Sequence, residues 1–157
     1  MNVLRNAEWD RMPSHQIQLR GPWEVFHPVT TVDAAAPQSD SVTRTMPQGW
    51  RELFGDIGGT ARFQRKFHRP SNLEPHERVF LVFKGIRGQS RICLNRSLIG
   101  EFVATGDTIE VDISSRMHSF NLIDVEIDFE PSQEPTLPGG LFGVVALDIR
   151  WDESVTK

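Results

Sequence analysis

The stretch from Arg78 to Phe102, "RVFLVFKGIRGQSRICLNRSLIGEF", decides the fold. It reads as strand, turn, strand, tighter turn, strand. Its first piece, "RVFLVF", is apolar at successive positions, the pattern of an inner strand covered on both faces. Lys84-Gly85 interrupts it. In "SRICLN", Ile92 and Leu94 alternate with polar neighbours, so one face points inward. Asn95 opens the second turn, and "LIGEF" follows it as a strand.

The same period of two runs outward in both directions. "TARFQRKFH" places Ala61, Phe63, Arg65 and Phe67 on one face and Arg62, Gln64, Lys66 and His68 on the other. "TIEVDI" contributes Ile109 and Val111. "NLIDVEIDF" alternates Ile123, Val125, Ile127 and Phe129 with Asp124, Glu126 and Asp128, and "VVALDIRW" closes with Val145, Leu147, Ile149 and Trp151. Toward the N-terminus, "HQIQLRGPWEVFHP" gives two short extended pieces around Gly21-Pro22. Thr30 to Pro47 reads mainly as loop, with an edge strand at Ser41 to Thr45. Trp50, Leu53 and Phe54 have helical spacing, and Gly55 stops that turn. Eight or more short strands with almost no helix predict an all-β, antiparallel, two-sheet sandwich.

The 157 residues, 38% apolar and 24% charged, suit one soluble domain spanning 1–157. Its core is expected over about 16–151, with 1–15 and 152–157 peripheral. The net charge of −4 gives no footprint of a nucleic-acid binder. Arginine outnumbers lysine fourteen to three, which base composition explains more simply than a basic recognition surface. The single cysteine, Cys93, excludes an intrachain disulfide and reads as an inert thiol in a strand. The N-terminus, "MNVLRNAEWDRMPSHQ", carries no signal-peptide run, and no stretch is long enough to cross a bilayer, so a cytoplasmic location is expected.

From about Gln16 to Trp151 the chain resembles the N-terminal jelly-roll domain of family-two glycoside hydrolases, a galactose-binding-like fold. The pieces come in the family's order. "LRGPWEV" (Leu19 to Val25) resembles the opening strand, and "ARFQRKFHRP" (Ala61 to Pro70) the Tyr-Arg-Arg-x-Phe strand with its Pro. "RVFLVFKGIRGQSRICLNRSLIGEF" resembles the strand, Asn-Gly hairpin and Gly that follow. "IEVDIS", "NLIDVEI" and "GGLFGVVALDI" resemble the last three strands. Two departures stand out. Arg96 replaces the hairpin Gly, which needs positive φ, so a turn one residue longer or otherwise built is expected. Gly143 stands where the family carries an Arg after Gly-Ile-Phe.

The resemblance implies a non-catalytic domain, because in that family the two catalytic carboxylates belong to a separate barrel. It implies a carbohydrate-binding-like module without cofactor, with a protein-interaction or assembly module on the same scaffold as the alternative. Alternating strand directions put Pro47–Gly59, Ile86–Gln89, Ala104–Asp107 and Pro131–Gly140 at one end, and there the candidate ligand residues are Trp50, Arg51, Arg87, Gln89 and Glu134. Trp50 has a competing reading as a helix residue capping the core. Arg65, on an apolar face, is expected to find an ion pair or loop carbonyls, or else to reach a ligand. The Asp124, Glu126, Asp128 stripe is expected to face Arg62, Lys66 and His68 across a strand pair rather than bind calcium, since alternate residues lie nearly 7 Å apart. The five histidines show no metal spacing, and no serine sits in a nucleophile elbow.

Overall fold

A computed structural model of the chain describes residues 15–29 and 41–152. The expected loop over 30–40 and the expected peripheral ends at 1–14 and 153–157 lie outside the described residues. Among the described residues eleven strands, one short helix and one 3-10 turn follow in order. They are β1 (His15–Gln18), β2 (Trp23–Val29), β3 (Ser41–Arg44), α1 (Trp50–Phe54), β4 (Gly59–His68), β5 (Glu77–Phe83), β6 (Ile86–Leu94) and β7 (Ser97–Thr105). Then come β8 (Ile109–Asp112), β9 (Phe120–Phe129), the 3-10 turn (Pro131–Gln133), β10 (Gly140–Leu141) and β11 (Val145–Trp151).

The strands form two antiparallel sheets. The smaller has the order β1-β11-β5-β8; the larger runs β10-β6-β9-β4-β2-β3, with β7 on the other side of β6. The period-two residues meet between the sheets. Val79, Leu81 and Phe83 of β5 and Leu147 and Ile149 of β11 belong to the same buried cluster as Phe63, Ile92, Ile123, Val125 and Ile127 of the larger sheet. The double-sided apolarity of β5 has its reason in this order: it lies inside its sheet, and Val82, whose side chain faces away from the cluster, is buried as well.

The charge pattern also sets register. β4 pairs with β9 along its full length, so Arg62 stands opposite Glu126 and Gln64 opposite Asp124. Arg62 donates to Asp124 at 2.6 Å, and Gln64 shares the same carboxylate oxygen at 3.0 Å. The Asp124 bond holds the Arg62 guanidinium above its ordinary pKa, against a smaller opposing effect of burial.

The second turn departs from expectation. Leu94 pairs with Ser97, so the loop keeps two residues, and both Asn95 (φ 52) and Arg96 (φ 72) take positive φ. The extra residue appears one step later as a bulge, where the register shifts between Cys93↔Leu98 and Ile92↔Gly100. The twist of the flanking strands favours a two-residue primed turn strongly enough to carry a non-glycine residue in it.

Candidate functional site

The end of the sandwich beyond Gly59 and Phe129 gathers the loops that the sequence reading grouped. Ile86–Gln89, expected as loop, is instead the start of β6, where Ile86 and Arg87 pair with β10. Trp50, Arg51, Arg87 and Glu134 do converge there, and the structure gives most of them work inside the fold. Trp50 is 1% exposed; its ring packs on Phe54 and Phe129, and its Nε1 donates to the Ile57 carbonyl at 2.7 Å. A sugar needs an open aromatic face, and this one is covered.

Arg51 donates to the carbonyls of Leu137, Pro131 and Glu134 at 2.7, 3.0 and 2.9 Å. Arg87 donates to Pro138 and Thr105 carbonyls at 3.1 and 2.6 Å, with its guanidinium 5.7 Å from the Phe142 ring centre. These arginines fasten the 131–138 loop, which has no sheet partner of its own until β10. Gln89 is exposed on the outer face of β6, and Glu134 is half-buried. Of the five candidates, those two have side chains with no hydrogen-bond partner among the described residues.

The opposite end is built differently. Here His68 closes β4 and Phe120 opens β9, directly across from each other. Their rings meet at a tilt of 53° with centroids 4.2 Å apart, and Phe120 is 63% exposed. The loop 69–76, stiffened by Pro70 and Pro75, runs beside the 113–119 connection, tied by the Arg69 N–H on the Ser119 carbonyl at 3.0 Å. Between them lies a cleft of about 370 Å³, floored by Val79, Met117 and Leu73 and walled by Arg69, Glu74 and Ser115. A hollow of about 500 Å³ adjoins it, lined by His68, Arg69, Ser71, Asn72 and Ser119.

The polar groups along the far wall are partly spoken for. Arg78 lies 3.0 Å from Asp152 and 3.5 Å from Asp112, and the Ser114 hydroxyl donates to Asp112 at 2.6 Å. Glu74 sits 2.9 Å from the His76 ring nitrogen. The side chains of Arg69, Ser71, Asn72 and Ser119 have no hydrogen-bond partner among the described residues. Phe120 was legible by parity: it shares the face of Leu122 and Asp124, the outer one. The sequence reading began that strand one residue later and so passed over it.

Among the described residues Arg65 finds no carboxylate within ion-pair distance. Its Nη1 donates to the neighbouring Lys66 carbonyl, its Nε is buried without a partner, and burial pulls its pKa below the usual arginine value. Cys93 is half-buried in β6, and burial, with the Asp124 charge adding, pushes its thiol up, which makes it a poor nucleophile. Among the described residues no group of three or more His, Cys, Asp or Glu is placed to hold a metal, and no helix is long and apolar enough to cross a membrane.

No family model matches the chain, and no curated protein matches it in sequence. Solved structures do share its fold. The β-glucuronidase of an uncultured Clostridium sp. superposes with a TM-score of 0.70 at 16% identity, over 87% of this chain and 29% of that one. The fold is that of the sandwich domain of family-two glycoside hydrolases. The β-glucuronidase of Ruminococcus gnavus in complex with D-glucuronic acid gives 0.71 at 14% identity, over 87% and 29%. That of Faecalibacterium prausnitzii gives 0.69 at 16%, over 87% and 31%. The chain thus spans under a third of the length of each of these β-glucuronidases.

Proposed function

We propose that this chain is a non-catalytic carbohydrate-binding module, and that it takes sugar at the His68–Phe120 end rather than at the Trp50 end. The observation that carries the reading is the exposed Phe120 ring in contact with His68, whose side chain lines a hollow together with a guanidinium, an amide and hydroxyls that have no partner among the described residues. A pyranose presents an apolar C–H face to an aromatic ring and hydroxyls to planar polar groups. The glycoside-hydrolase fold favours a sugar ligand over other small molecules. Catalysis would need a pair of carboxylates flanking a scissile bond. Of the carboxylates at this cleft, Glu74 lies 2.9 Å from a His76 ring nitrogen, and Glu77 accepts the Glu74 N–H at 3.0 Å.

The test is calorimetric titration with β-galactosides, β-glucuronides, β-mannosides and oligosaccharides of plant and algal polysaccharides. Phe120→Ala is expected to lower affinity at least about tenfold with an unchanged melting point, since the ring is exposed. Trp50→Phe is expected to do the reverse: lower melting point, same affinity. Silence across the whole panel sinks the reading, as does a Phe120→Ala variant that binds like the parent.

A second reading, an assembly module on the same scaffold, is favoured by β7. Among the described residues this strand pairs only with β6, and it exposes Val103 (72%) and Leu98 (45%). Unpaired edges invite strand addition. Sedimentation equilibrium at high concentration distinguishes it: a monomer counts against self-association.

A further inference from the structure

Building on the carbohydrate reading, we infer that the ligand is a neutral oligosaccharide held through two adjacent rings, one in the hollow lined by His68 and one in the cleft that adjoins it. The ground is how two connections cross this end of the sandwich. The 69–76 connection leaves β4 in the larger sheet and enters β5 in the smaller. The 113–119 connection leaves β8 in the smaller sheet and enters β9 in the larger. They cross the same gap in opposite directions, and the two openings lie between them. His68 and Ser119, at the larger-sheet ends of these connections, line the hollow. Val79 and Ser114, at the smaller-sheet ends, line the cleft.

Arg69 and Leu73 line both openings and so mark the junction. Packed sheets stand about 10 Å apart. Two openings in series across that span make a short track over the end of the sandwich, with no continuation along a strand. Each opening, at about 500 and about 370 Å³, falls by itself within the roughly 300–1,000 Å³ of small-molecule sites. Each has room for a ring of its own.

The two openings differ in chemistry. In the hollow, Arg69, Ser71, Asn72 and Ser119 bring a guanidinium, an amide and two hydroxyls without partners among the described residues. That lining suits a ring read through its hydroxyls. The cleft has an apolar floor of Leu73, Val79 and Met117, with the Ser115 hydroxyl at its side. That lining suits a ring laid down on its C–H face. The charged lining of the cleft is two arginines, Arg69 and Arg78, against two glutamates, Glu74 and Glu77, so it selects neither an acid nor a base. Arg69 is exposed at the junction, and its fork of donors can serve hydroxyls on both rings.

The deciding experiment is calorimetric titration of the intact chain with neutral ladders of one to four β-linked galactose, mannose or glucose units. In at least one ladder the disaccharide is expected to bind about tenfold or more tighter than the monosaccharide, with less than about threefold added by each further unit. Asn72 has φ 62, so Asn72→Gly removes the amide without straining the backbone. It is expected to weaken monosaccharide and disaccharide alike, by about fivefold, and to keep the gap between them. Ser115→Leu crowds the cleft and is expected to bring the disaccharide down to the monosaccharide level, which itself stays unchanged. Melting points check that both variants fold. A monosaccharide as tight as the disaccharide, or equal gains at every added unit, would overturn the two-ring assignment and leave the sugar reading standing. So would a Ser115→Leu variant that keeps the disaccharide advantage, or an Asn72→Gly variant that loses it. No binding in any ladder would overturn both.

Discussion

Asn95 and Asn121 join a turn of the larger sheet to the start of β9 through one side-chain hydrogen bond of 2.9 Å. Around it Asn121 accepts the His118 N–H at 2.8 Å and donates to the His118 carbonyl at 2.9 Å, while Asn95 accepts the Leu122 N–H at 2.9 Å. Asn121 is 3% exposed, so water cannot replace these bonds without opening the corner. Each buried donor left unpaired costs about 1–3 kcal/mol. Asn121→Ala is therefore expected to lower stability by about 2–4 kcal/mol in urea unfolding. A loss below about 0.5 kcal/mol would mean the corner re-forms its bonds with solvent.

The neighbouring Arg96 is held at φ 72, in the left-handed region. For a side chain with a Cβ that conformation costs roughly 1–2 kcal/mol, and glycine avoids it while giving back roughly 0.5–1 kcal/mol in unfolded-chain entropy. Arg96→Gly is expected to raise stability by about 0.5–1 kcal/mol, read from the urea midpoint at constant slope.

Gly143 meets Gly85 backbone to backbone. Its N–H donates to the Gly85 carbonyl at 3.0 Å, and a Cβ on Gly143 would stand 2.5 Å from the Gly85 nitrogen and 2.7 Å from its Cα. No flexible side chain is in the way to yield; the contact is main chain. Gly143→Ala is expected to cost about 1–3 kcal/mol in thermal unfolding, and the larger Gly143→Arg more than that. This contact is also the physical reason an arginine does not occupy the position here.

Arg150 grips Glu110 with two bonds, of 3.1 and 2.6 Å, and Asp148 with a third of 2.8 Å, while its guanidinium lies 4.2 Å from the Phe80 ring centre. The Arg150 bonds hold the Glu110 carboxyl below its ordinary 4.5, with burial working against them. A depressed carboxylate stabilises the fold above its unfolded pKa, and the effect fades as pH falls through the folded value. Glu110→Gln is expected to lose at most about 1 kcal/mol at pH 7, since the pair is largely exposed. The gap between variant and parent closes once the pH is well under 4.5. Unfolding curves at pH 7 and in acid check the sign; a gap that widens in acid contradicts it.

Much of this fold could be read from residue alternation. The pairing of β4 with β9 followed from Arg62 and the Asp124 stripe having complementary spacing, and α1 from Trp50, Leu53 and Phe54. The alternatives for Trp50 could not be separated in one dimension, because only the third layer of packing, from Phe129, determines whether an indole is covered. Arg51 and Arg87 were misleading for another reason: their partners are main-chain carbonyls, which every residue has and no sequence pattern marks. The cleft at the other end depends on the bend of the 69–76 loop over Met117 and Val79, a matter of shape that leaves little trace in composition.

β6 hydrogen-bonds to β7 along one side and, along the other, first to β10 and then to β9. Gly88, at φ +120, sits at that changeover, where a Cβ would strike Ile127 and the Asp128 carbonyl. Three partners on one ribbon make it the seam of the larger sheet. Peeling β3 leaves that seam closed, and peeling β7 frees only the amides of β6 that point toward β7. In deuterium the β6 amides bonded to β9 exchange late, on the timescale of whole-molecule opening, and the margins exchange early by fraying.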